Sequence, residues 1–360
     1  MRALAAVSIV CTLVVSAAAA ADADIRALID NGHWKQGRAA LEPRVKANPN
    51  DADAAALLAR VRQTYGQLDA ALPLAETAVR LNPNNAEYHW TLAWIVGQQA
   101  QKASIFRQLG LAKRFRHEAE AAIAFDPKHI DARMGLISFY VQAPGIAGGD
   151  KKKAEQIAAD VAQVDPAWGF IARARFLRET KADADFESLY RQARDAARSP
   201  KTKYEATASL INTYLNAKTP KWEAAEELVR GLIALDPDRA YGHSTLAIVC
   251  AGRQKWTELD TVLAEGEKTV PDNLSNYYQA GRIIATQASG DYARAEKYLR
   301  KFLTQEPEPG GATWAHAHWR LGQVFEKQGR KADAISEIDQ AVRLKPDLED
   351  AKKDLKRLRG

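Results

Sequence analysis

Leu321-Gly-Gln-Val-Phe325-Glu-Lys-Gln-Gly329-Arg-Lys-Ala-Asp-Ala334-Ile-Ser-Glu-Ile-Asp-Gln-Ala341-Val-Arg-Leu-Lys-Pro346 holds two helical windows and the signals that end them. Gly329 closes the first window. Pro346 closes the second, because proline has no amide hydrogen and disfavours helix in the residue before it. Leu321 and Phe325 stand one turn apart and supply bulk. Ala334 and Ala341 stand two turns apart and leave a small face on which a partner helix can lie closely. The segment reads as helix, turn, helix.

Outward from it the same punctuation recurs. Ala-Asn-Pro49, Leu-Asn-Pro83, Phe-Asp-Pro127, Val-Asp-Pro166, Arg-Ser-Pro200, Leu-Asp-Pro237, Thr-Val-Pro271 and Gln-Glu-Pro307 precede Leu-Lys-Pro346 at separations of 34, 44, 39, 34, 37, 34, 36 and 39 residues. One period near 34 with occasional inserts signals a stacked helical array. Alanine stands 12 residues before the proline at Ala71, Ala154, Ala225, Ala295 and Ala334, and five before it at Ala78, Ala122 and Ala341. Larger residues (Leu58, Leu92, Leu136, Leu246, Leu321) recur in the first helix and should fill the space between neighbours.

The last unit, with Leu321-Gly322, Phe325, Gly329, Ala334, Ala341 and Pro346, resembles the tetratricopeptide repeat. Leu58, Ala59, Gly66, Ala71, Ala78 and Pro83 come almost as close; the units ending at Pro166 and Pro200 are degenerate. The resemblance implies an all-α chain, a right-handed superhelical solenoid of about nine helix-turn-helix units over residues 22–346, with a capping helix in 347–360. Inserts are expected near 98–113 and 143–150, as neighbouring loops between the helices of their units. Trp90 to Trp94, the insert with Ser104, and Phe139 through Gly149 are together similar to exported bacterial tetratricopeptide proteins without an assigned activity, and distantly to the regulator of microtubule dynamics family.

Tetratricopeptide domains are protein and peptide receptors that use the wall lined by the first helix of each unit. Aligned on the signature positions, that wall receives Trp90 and Trp94, Tyr278 and Arg282, and Trp319 and Gln323, each pair spaced i, i+4 so that both members face one way. Two tryptophans a turn apart give a flat, rigid, apolar surface on which a partner's side chain can anchor. The other reading makes them core. Ala56 and Arg60, or Trp90 and Trp94, occupy the places where chaperone-type relatives clamp a terminal carboxylate with Lys and Asn, so that clamp is absent. The partner expected is an unidentified protein or peptide; a small-ligand receptor or partner subunit of a transport system is the alternative.

Pro144-Gly-Ile-Ala-Gly148-Gly149-Asp150-Lys151-Lys152-Lys153 offers backbone amides and ammonium groups to an anion, through Gly148, Gly149, Lys151 and Lys152. It is no nucleotide phosphate loop, since Asp150 stands where that motif needs glycine. Asp150 also reads as a helix cap.

Residues 1–21 read as a signal peptide: Met1-Arg2, an uncharged run to Val15, then small residues before Asp22. Export to the periplasm is expected, with secretion as the other destination and no membrane insertion after cleavage. Cys11 falls in the signal, so Cys250 has no partner for an internal disulfide. The 51 Lys and Arg and 45 Asp and Glu are interspersed, giving a net charge of +6 and no nucleic-acid footprint. No metal set or cofactor motif stands out. His316 and His318 point about 200 degrees apart on a helix, no His-Glu-x-x-His occurs, and no serine sits in a Gly-x-Ser-x-Gly turn, so no catalytic residue is expected. Oligomeric state is not written in the sequence.

Overall fold

The computed structural model describes residues 24–360, and every regular element among them is helical. The expected signal segment, 1–21, lies outside the described residues. Contacts divide the chain into two bodies, after Ala206.

The first body holds α1 (24–31), α2 (Trp34–Ala47), α3 (Ala52–Thr64), α4 (Leu68–Leu81), α5 (Ala86–Lys102), α6 (Ile105–Phe125), α7 (Ile130–Gln142), α8 (Lys151–Val164), α9 (Pro166–Glu179) and α10 (Phe186–Ala196). The boundary falls within α11 (Pro200–Leu215). The second body continues with α12 (Trp222–Leu235), α13 (Ala240–Gly252), α14 (Trp256–Thr269), α15 (Ser275–Thr286), α16 (Tyr292–Phe302), α17 (Trp314–Lys327), α18 (Lys331–Leu344) and α19 (Glu349–Arg359). Within each body consecutive helices pack as hairpins, and the first helix of one hairpin also meets the first helix of the next, as in α5 with α7 and α15 with α17.

Local chemistry sets the ends. After Pro49 and Pro83 the chain reaches Asp51 and Asn85, whose side chains accept from the amides of Ala54 (3.0 Å) and Tyr88 (3.2 Å). Each cap satisfies an amide that the new helix leaves without a partner. Pro166 and Pro200 behave differently from the others: they open α9 and α11 instead of closing a helix. Asp165 ends α8 and caps α9 at once, accepting from Ala167 and Trp168. Proline suits the first helical position, where no amide hydrogen is needed.

The small-residue rule accounts for how closely the helices approach. Ala71, Ala78, Ala122, Ala154, Ala225, Ala295, Ala334 and Ala341 are all fully buried. At Gly322 a Cβ would come within 2.4 Å of Ile338 on the facing helix, so only glycine permits the approach of α17 to α18.

Residues 98–113 do not form the loop expected of them. They lengthen α5 and α6 to 17 and 21 residues, with the turn confined to Ala103 and Ser104. Glutamine, alanine, lysine and leucine favour helix, and an insert made of them extends the hydrogen-bond ladder. Residues 143–150 form a short 3-10 turn, Gly145–Ala147, packed on α6.

Candidate functional site

A cavity of about 660 Å³ lies in the first body, walled by the first helices α3, α5, α7 and α9, the start of α11, and Trp34 of α2. Trp90 and Trp94 line it. Trp94 is 44% exposed. Trp90 is half-buried: one side packs on the core that holds Leu92, Phe115 and Leu136, while its ring meets Trp94 at a centroid distance of 5.6 Å. Trp90 is therefore core on one side and cavity wall on the other. Its seat is made by Gly135 of α7, where a Cβ would fall 2.5 Å from the Trp90 ring.

Two further tryptophans share the lining, Trp34 and Trp168. Four indoles converge on one space. Trp168 and Arg175 stand two turns apart on α9, and both face the cavity with Lys201 of α11. Neither Arg175 nor Lys201 has an ion-pair partner among the described residues. Thr91 lines the wall with a buried Oγ1 that makes no hydrogen bond there.

The opposite end is a closed charge network. Arg60 donates to Asp30 at 3.0 Å and stands 3.9 Å from Glu87. His129 Nδ1 accepts from the Ala132 amide, which turns Nε2 to Glu87 at 3.3 Å. Burial pushes the Glu87 carboxyl up, but His129, Arg60 and Arg26 outweigh it and hold it below the usual value of 4.5. Glu87 is thus a charged anchor for its neighbours.

The second body places its sequence-predicted residues elsewhere. Tyr278 is only 5% exposed and packs on Phe302 at 5.3 Å, so it is core and not a contact residue. Arg282 is half-buried, bonded to Gln279 at 2.8 Å, and burial lowers its pKa. Trp319 Nε1 and Gln323 Nε2 both donate to Asp354 Oδ2 at 2.9 Å, which ties them to α19. These polar groups join the last hairpin to its cap.

The glycine turn is self-satisfied. Asp150 accepts from the amides of Lys152 (3.0 Å) and Lys153 (3.1 Å), the groups an anion would need. Gly148 takes φ +98°, and a Cβ on Gly149 would lie 1.8 Å from the Ala143 carbonyl oxygen, so both glycines serve the turn. Lys151 and Lys152 are exposed.

Sequence reasoning missed Trp34, Trp168, Arg175 and Gly135. Trp168 and Arg175 belong to a degenerate unit, where no register could be carried over. Trp34 opens a second helix and lay outside a search of first helices. A count of tryptophans near helix starts would have raised both.

The tetratricopeptide repeat model matches residues 282–349. The crystal structure of the APC/C hetero-tetramer Cut9-Hcn1 is similar at 13% identity and a TM-score of 0.42, over 90% of this chain and 58% of that one. A tetratricopeptide repeat protein from Parabacteroides merdae is similar at 14% identity and a TM-score of 0.33, over 94% and 97%. Comparison with curated proteins finds no match. The match shows a tetratricopeptide repeat over residues 282–349, and the paired helices with alanines buried at the repeat positions carry the same helix-turn-helix pattern within each body.

Proposed function

We propose that this chain is a non-catalytic scaffold or adaptor of the cell envelope, exported to the periplasm, that holds a polypeptide segment along the wall of α3, α5, α7 and α9. Tetratricopeptide repeats support a protein-interaction role. The observation that carries the site is the cavity of about 660 Å³ whose lining comes from successive first helices, with Trp94 44% exposed in it. First helices packed at about 9 Å intervals make a lining of four helices roughly 30 Å long, the span of an extended segment of eight or nine residues. Indoles would anchor an apolar side chain, and Arg175 and Lys201 would meet an acidic group nearby.

Panning a peptide library on the protein tests this reading. Enrichment of one apolar-anchored sequence is expected, with affinity reduced on the order of tenfold or more by Trp94→Ala. Failure to enrich any sequence, or equal affinity in the variant, would sink it.

A receptor for a small apolar or anionic solute is the second reading, favoured by the volume, which falls within the roughly 300 to 1,000 Å³ of small-molecule sites. Solute binding without peptide enrichment would select it.

A further inference from the structure

The hairpin of α5 and α6 outruns its neighbours. These helices have 17 and 21 residues, against 13 and 14 in α3 and α4 and again in α7 and α8. At 1.5 Å per residue the surplus carries its tip roughly 6 to 10 Å beyond them. The buried residues of α6 are Phe115, Glu118, Ala119 and Ala122, all in its C-terminal half. Its first turns therefore have no core to fill. Yet they begin with Ile105 and Phe106, 75% and 92% exposed. A third apolar residue, Ile146, stands 81% exposed in the 3-10 turn that packs on α6.

Along the chain this hairpin tip carries charge of one sign, while Asp69 of α4 reaches Gln99 on its α5 side at 3.5 Å. Between Glu87 and Glu118 there is no carboxylate, whereas Lys102, Arg107, Lys113, Arg114 and Arg116 all fall there. Arg114 is paired with Glu76 at 2.6 Å. Lys102, Arg107 and Lys113 are exposed and have no ion-pair partner among the described residues.

We infer that the α5–α6 tip docks on an anionic lipid surface: Ile105 and Phe106 enter the boundary between headgroups and acyl chains, and Lys102, Arg107 and Lys113 meet the lipid phosphates. Apolar side chains flanked by cations are what such an interface rewards, through buried apolar area and attraction to negative headgroups. The shape favours a bilayer over a protein, because a projecting tip needs no preformed pocket in a fluid layer. No described helix is long and apolar enough to cross a membrane, so the contact is peripheral.

Flotation with vesicles of phosphatidylcholine alone, or with about a third phosphatidylglycerol, tests the inference. The protein should float only with the anionic vesicles, and more weakly as salt screens the charges. Ile105→Ser with Phe106→Ser should reduce partitioning on the order of tenfold or more. Lys102→Glu with Arg107→Glu should do the same, whereas Phe106→Leu should retain binding. Trp94→Ala, in the cavity wall, should leave flotation unchanged. Circular dichroism checks that the surface variants keep their helices. Absence of parent binding to anionic vesicles, undiminished binding by either double variant, or equal binding to neutral vesicles would overturn the inference.

Discussion

Trp90 and Trp94 on α5 occupy the same places in their hairpin as Trp319 and Gln323 on α17, one turn apart on the first helix. Their surroundings differ. Beside α5 comes α7, whose Gly135 leaves a shelf under the Trp90 ring and whose cap residue His129 meets that ring edge-on at 6.1 Å. Beside α17 comes α19, whose Asp354 accepts from both Trp319 and Gln323. One signature position can thus line a cavity or form a structural joint, according to the helix that arrives next.

The largest test of this contrast is Trp90→Ala. It empties a ring packed on the core and should lower stability by about 3 kcal/mol in denaturant unfolding; a loss under about 1 kcal/mol would mean the ring does not bear on the core. Gly135→Val fills the shelf from the other side. Its Cβ must displace the Trp90 ring, so a loss of about 2 kcal/mol is expected, with a change in tryptophan emission.

Asp354→Asn probes the joint. Asparagine keeps the shape but weakens bonds to Trp319, Gln323 and Arg357, for an expected loss of about 1 kcal/mol and faster amide exchange in α19. The same carboxylate predicts a pH effect. Burial raises its pKa, but the bonds from Trp319, Gln323 and Arg357 outweigh burial and hold it below 3.8. A group with a lowered folded pKa adds stability that is fully present above its unfolded value, near 3.8, and is lost as pH falls through the folded one. Exchange in α19 should therefore quicken at the acid end in the parent and less so in Asp354→Asn. The smallest effect belongs to Trp94→Ala: stability should change by less than about 0.5 kcal/mol, because the ring is 44% exposed. A large loss would make Trp94 part of the core.

Much of the repeat could be read from local signals. Prolines after Asn or Asp, capping residues beyond them and alanines at fixed offsets act within one hairpin, and the eight alanines are fully buried. Pro166 and Pro200 misled because proline serves equally well as a stop and as a first residue, and it is the residues before them, Asp165 and Ser199, that accept from amides of the new helix. The insert at 98–113 was misread because surplus length does not say whether it coils or lengthens a helix. For the site, spacing placed Trp90 and Trp94 on one face. It could not place Tyr278, whose burial depends on Phe302 in the next helix.

The sequence by itself determined the helix pairs and the close approach within them, because those depend on proline, caps and side-chain size at neighbouring positions. Only the tertiary structure decided which inner-wall residues stay open. Exposure is set by what packs opposite: Gly135 makes room for Trp90, Asp354 engages Trp319, and among the described residues Ile105 and Phe106 stay largely exposed. Those partners lie a hairpin away in sequence, beyond the reach of any local pattern.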